Sequence, residues 1–125
     1  MAQFAKKDTA ILTASFTPDA VWILPDASTF TGTAAIQAGG KAFFDMLESF
    51  SLESSVIDKL IVVNDHEAVT FSHGIGMMKM KGAKKAERHN NPFADYWQKG
   101  ADGAWRIAYE LNAEGPMPAA APAQP

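Results

Sequence analysis

The chain has 125 residues, a length that suits one ordinary domain able to sustain a core without staples, and it contains no cysteine. Disulfides, thiolate metal sites and cysteine nucleophiles are thereby excluded. Eleven Lys and Arg against fourteen Asp and Glu give a formal charge of −3, with no long run of either sign, which argues against a nucleic-acid partner.

The basic residues Lys79, Lys81, Lys84, Lys85 and Arg88 gather around Gly82 and read as a solvated hairpin turn. No apolar stretch reaches the roughly 18 residues that a membrane-crossing helix needs. The first residues, MAQFAKKDTA, lack the apolar segment of a secretory signal, so a cytoplasmic location is expected.

Residues 5–16 place Ile11, Leu12 and Phe16 at helical spacing, and Pro18 forbids continuation, which predicts a short amphipathic helix. The apolar run 20–24, closed by Pro25 and Asp26, has the length and the β-branched and aromatic content of a strand. Residues 28–32 carry turn chemistry. Thr33 is placed to cap a helix running through Ile36, Phe43 and Phe44 to Leu47. Gly39 and Gly40 inside that helix cost about 1 kcal/mol each against alanine, which implies a kink or close packing there.

From Leu52 onward the pattern changes to strands, over residues 52–63, 68–80, 87–99 and 104–112, separated by turns at Asn64–Asp65, around Gly82 and around Gly103. Four long strands in succession form an antiparallel meander with more area than two short helices can cover, so a strongly curved α+β sheet is predicted. The Pro- and Ala-rich residues 115–125 are expected to be a disordered tail on a domain of residues 1–114.

Three stretches resemble the NTF2-like superfamily, in particular its SnoaL-like and ketosteroid-isomerase-related branches. They are Phe16-Thr17-Pro18-Asp19-Ala20-Val21-Trp22 running to Pro25, then Gly32-Thr33-Ala34-Ala35-Ile36, and last Tyr96-Trp97 followed by Asp102-Gly103-Ala104-Trp105-Arg106-Ile107. Their order and spacing match the helix end and first strand, the start of the next helix, and the closing hairpin. The resemblance implies an NTF2-like cone, a curved antiparallel sheet wrapped around helices with an internal pocket. Members normally begin with a longer helix, so the mouth is expected either to be more open or to be closed by a partner or further residues.

Aligned on these stretches, the general base of a ketosteroid isomerase falls on Leu24, which cannot move a proton. Its tyrosine oxyanion donor falls at or before Met1 and is absent, and its acidic donor falls near Phe93, with Asp95 two residues on. Steroid-type isomerisation is therefore not expected. The alignment and strand alternation turn Trp22 and Leu24 inward, with Asp26 at the rim. They also turn inward Phe93, Asp95 and Trp97 on the third long strand and Ala108, Glu110 and Asn112 on the last. Trp105, Ile107, Tyr109 and Leu111 are left on an apolar outer face, expected to be covered by a second copy in a homodimer.

Asp95 and Glu110 are thus the candidate acid and base, in a ligand pocket of Trp22, Leu24, His73, Phe93, Trp97 and Asn112. Burial and mutual repulsion would raise a carboxyl pKa there. The alternative is that one carboxylate pairs with Arg88 or Arg106, or faces solvent. His73 shares a strand face with Val69, Phe71 and Ile75 and also reads as a structural residue. Pro92, after His89, suggests a bulge or edge, and His66 lies in a turn. No histidine spacing suits a metal, no glycine motif suits a phosphate, and no cofactor is implied. The functional expectation is a protein that binds a small, largely apolar ligand. The alternative is a cofactor-independent isomerase, cyclase or hydrolase using Asp95 or Glu110.

Overall fold

The computed structural model describes residues 6–113 and the backbone of 115–116. Among the described residues two helices lie against one curved sheet that is not closed into a barrel: α1 (Thr9–Ala14), β1 (Phe16–Ile23), β2 (Thr29–Thr31), α2 (Thr33–Met46), β3 (Leu47–Asn64), β4 (Glu67–Met80), β5 (Glu87–Lys99), β6 (Trp105–Asn112) and β7 (Gly115–Pro116). The sheet order is β2-β1-β6-β5-β4-β3, with β7 paired to β5. β3 to β6 form the predicted antiparallel meander, and β1 joins β6 in parallel. No helix among the described residues is long and apolar enough to cross a membrane.

The first helix is shorter than its periodicity predicts. The Asp8 side chain accepts from the backbone N–H groups of Ala10 and Ile11 and sets the start. At the other end the Ser15 carbonyl accepts from Ile107 N–H at 2.8 Å, which draws the chain into the sheet, so that Phe16 opens β1 rather than closing the helix. Residues 29–31, predicted as turn, form a short strand on β1, because Thr31, Phe30 and Thr29 pair with Val21, Trp22 and Ile23. Gly32, with φ +87°, is the N-cap of α2, and Thr33 is the first helical residue rather than the cap. β3 begins at Leu47, five residues before the predicted start, as soon as α2 ends.

The glycine pair in α2 serves close packing. A Cβ on Gly39 would lie 2.6–2.8 Å from three atoms of the Phe30 ring, and one on Gly40 would lie 2.4 Å from Leu12 Cδ2. The helix therefore sits against β2 on one side and α1 on the other. The core beneath it consists of Leu12, Phe16, Ala20, Trp22, Ile36, Phe44 and Ile107.

Ile107 corrects the outer-face assignment. Tyr96 pairs with Tyr109 but Trp97 pairs with Ile107, so Ala108 is an extra residue and the alternation of β6 changes phase there. Ile107 is consequently 6 % exposed and in the core, while Tyr109 and Leu111 stay on the exposed side. Gly115 and Pro116, assigned to the tail by composition, pair with Asn90 and His89 of β5. Residues 117–125 lie outside the described part.

Candidate active site

The register of the meander stacks residues into rows that share a face. One row runs Leu60, Thr70, Asp95 and Glu110 across β3, β4, β5 and β6. The next holds Ile57, Ser72, Phe93 and Asn112, and on the other side lies Val62, Ala68, Trp97 and Ile107. These rows form the concave face, onto which α1 and the start of β1 pack. Asp95 is thereby flanked along its strand by Phe93 and Trp97 and opposed across the ladder by Glu110.

Two chambers occupy the concave side. One, of about 220 Å³, is lined by Leu12, Phe16, Phe93, Trp97 and Ile107 with Asp95, Glu110, Asn112, Asn91, Ser15 and Ser55. The other, of about 90 Å³, is lined mainly by Trp22, Leu24, Phe43, Phe50, Leu52 and Met78, with His89, Asn91 and Asn112. Asn91 and Asn112 border both. Of the residues selected from sequence, Trp22, Leu24 and Asn112 line the smaller chamber, and Phe93, Asp95, Trp97, Glu110 and Asn112 line the larger. Asp26, expected at the rim, lines neither and instead accepts from Ser28 N–H in an exposed turn.

His73 is the exception among the pocket candidates. It pairs with Val56 and Pro92 in a row on the opposite face, and its Nδ1 lies 2.7 Å from Asp58 Oδ2. Thr70, not an odd-numbered residue of β4, stands opposite Asp95, so Val69, Phe71 and His73 fall on the opposite face.

The carboxyl pair is the chemical centre of the larger chamber. Asp95 is 3 % exposed, and its Oδ1 is buried with no hydrogen-bond partner. Burial, followed by the charge of Glu110 and a hydrogen bond to it, pushes the Asp95 carboxyl up to about 9. At neutral pH Asp95 therefore carries a proton that it can donate toward Glu110, while its Oδ1 stays without a partner. Asn112 Nδ2 donates to Glu110 Oε2 at 3.0 Å and to the Ile23 carbonyl at 3.1 Å, so it ties the glutamate to β1. Neither arginine considered from sequence neutralises the pair: Arg88 binds Glu53, and Arg106 binds Asp102, whose carboxyl it holds down at about 2.

Two neighbouring indoles differ in a useful way. Trp97 Nε1 donates to Thr70 Oγ1 at 2.9 Å, whereas Trp22 Nε1 is buried without an acceptor beside the smaller chamber. Sequence reasoning missed the role of Asn91 and Phe16 in the lining; the position of Asn91 two residues before Phe93 was the available signal. Among the described residues, no group of three or more His, Asp or Glu side chains is placed to hold a metal ion.

A meander closed over a helix pair, with carboxyls inside the concavity, is the architecture of NTF2-like cones. The model of the SnoaL-like domain matches residues 1–109, and the chain belongs to that family. Among solved structures it is similar to a ketosteroid isomerase-like protein from Erwinia carotovora atroseptica, at 18% identity over 90% of this chain and 85% of that one, with a TM-score of 0.83. It is also similar to a hexachlorocyclohexane dehydrochlorinase, LinA type 2, at 12% identity over 98% and 84%, with a TM-score of 0.80. A protein described as a candidate scytalone dehydratase from Novosphingobium aromaticivorans matches at 14% identity over 96% and 81%, with a TM-score of 0.78. At these identities the likeness establishes the fold. No curated protein matches the chain.

The proton on Asp95 has a consequence for stability. A carboxyl whose folded pKa lies above its unfolded value binds the proton more tightly when folded. Its contribution is therefore most favourable below the unfolded value near 4 and is lost as pH rises toward about 9. Asp95→Asn, which keeps an N–H donor toward Glu110 without the titration, is expected to be progressively more stable than the parent between pH 5 and pH 8. The difference should grow by at most about 1.4 kcal/mol per pH unit. Thermal melts at both pH values check this, and a difference that does not change with pH contradicts it.

Proposed function

We propose that the protein binds a small, largely apolar molecule in the cone, with the Asp95–Glu110 pair as its polar anchor. The observation that carries this reading is the placement of a buried Asp95 opposite a half-buried Glu110 in a chamber walled by Phe16, Phe93, Trp97 and Ile107. Apolar walls supply affinity, and a few fixed polar groups supply orientation. The unsatisfied indole N–H of Trp22 offers a second anchor for an acceptor in the adjoining chamber.

A second reading, cofactor-independent isomerase, cyclase or hydrolase chemistry, is favoured by the shared proton. Asp95 would be the acid and Glu110 the base, at neighbouring positions and at neutral pH. The dehydrochlorinase and dehydratase descriptions of two structural neighbours are compatible with it.

One NMR experiment separates the readings. Small ketones added in deuterated water are expected to shift the Trp97 indole N–H signal and the Asn112 side-chain signals. If the protein is also a catalyst, the α-protons of the ketone exchange at a rate that Glu110→Gln lowers by at least about tenfold, the low end of a general base's contribution. Shifts confined to the opposite face of the sheet would contradict both readings.

The opposite face suits a second copy of the chain. Its rows Ile61, Val69, Tyr96, Tyr109 and Lys59, Phe71, Ala94, Leu111 form a broad apolar surface spanning four strands, with Phe71, Tyr109 and Leu111 exposed. Lys59 and the neighbouring Asp58 add charges of both signs, as an isologous contact requires. Sedimentation is expected to show a dimer at micromolar concentration that Tyr109→Glu weakens at least tenfold. A monomer at high micromolar concentration contradicts the interface.

A further inference from the structure

The larger chamber has an electrostatic character that narrows the ligand. Asp95 and Glu110 together hold one negative charge and one proton, and the described lining contains no Lys or Arg. Asp95, 3 % exposed with an unpartnered Oδ1, faces the chamber between the rings of its strand neighbours Phe93 and Trp97, and Phe16 lines the same space. An anionic ligand would meet the pair's charge with no Lys or Arg of the described lining to offset it. A neutral alcohol or ketone could take one hydrogen bond and leave that charge where it is. A cation changes the balance, because it supplies both the positive charge and the N–H donors that the buried Asp95 and half-buried Glu110 would need as carboxylates, and aromatic faces attract it further.

We propose that this chamber is a site for a small protonated amine, an ammonium group on a short apolar body, with Asp95 and Glu110 as paired counter-charges and Phe16, Phe93 and Trp97 around it. This rests on the reading of the cone as a small-molecule site and adds the chemical class. The exchange is balanced: the ammonium enters with its charge, the proton shared by Asp95 and Glu110 leaves to solvent, and both carboxylates end ionised and bonded to N–H donors. At about 220 Å³ the chamber is smaller than the roughly 300–1,000 Å³ of drug-sized sites, which favours a single ring or a short chain.

Among the described residues, the charge acting on Asp95 is that of Glu110 on β6. Thr70 on β4 and Leu12, Ser15 and Phe16 at the α1–β1 junction add none. Release of the shared proton makes amine binding depend on pH. Between pH 6 and pH 8 an alkylamine stays protonated while free Asp95 holds its proton, so affinity should rise about tenfold per pH unit.

Calorimetry on the full chain with benzylamine, benzyl alcohol and benzoate tests this. Benzylamine is expected to bind tightest, to release close to one proton as read from buffers of different ionisation enthalpy, and to gain about tenfold in affinity per pH unit. Benzyl alcohol should bind more weakly with no pH dependence, and benzoate should not bind. Glu110→Gln should cost benzylamine at least tenfold and leave benzyl alcohol within about threefold. Benzyl alcohol binding as tightly as benzylamine, or benzylamine binding without proton release, would overturn the amine assignment while leaving the small-molecule site intact. No binding by any of the three would count against both.

Discussion

The proton shared between Asp95 and Glu110 is the constraint to which the concave side of this protein is fitted. Asp95, buried opposite the half-buried Glu110 in an antiparallel ladder with no Lys or Arg in the described lining, keeps its proton at neutral pH. The register that places Asp95 opposite Glu110 therefore also determines that the site holds one acid and one base. Asn112, anchored to the Ile23 carbonyl, holds Glu110 in place by donating to its Oε2.

Everything around the pair serves its burial. The extra residue at Ala108 turns Ile107 into the core beneath Trp97, and Glu110 and Asn112 still face the chamber two and four residues from it on the far side of the bulge. The parallel contact of β1 with β6 brings Phe16 and Trp22 over the same region. Gly39 and Gly40 let α2 approach Phe30 and Leu12 closely enough to cover it. Small residues on the inner side of β4, among them Ser72, Gly74 and Gly76, keep the concavity open where bulky side chains would fill it. The exposed end of β3, by contrast, carries Ile57, Leu60 and Val62 beyond the reach of either helix.

The four long strands and the second helix were legible because alternation and turn chemistry are local properties. That Asp95 and Glu110 turn to the same side was legible too, from strand alternation and the family alignment. Two features were not. The phase change at Ala108 leaves no mark in the residue pattern, because Ile107 and Tyr109 both suit a strand on either face. The orientation of His73 depends on the register across the longer bend at residues 81–86, where a slip of one residue reverses every side chain. The end of α1 escaped for a different reason: Ser15 is claimed by Ile107, almost a hundred positions away, and no local propensity records that bond.

The central claim is a carboxylic acid kept neutral at physiological pH by burial and by a neighbouring carboxyl group. Carbon-13 NMR of the side-chain carboxyl groups of Asp95 and Glu110, followed from pH 3 to pH 10, tests it most directly. Asp95 should show the shift of a protonated acid at pH 7 and lose its proton only near pH 9. If both carboxyls instead ionise near their ordinary values of about 4, the pair shares no proton and the site has no poised acid.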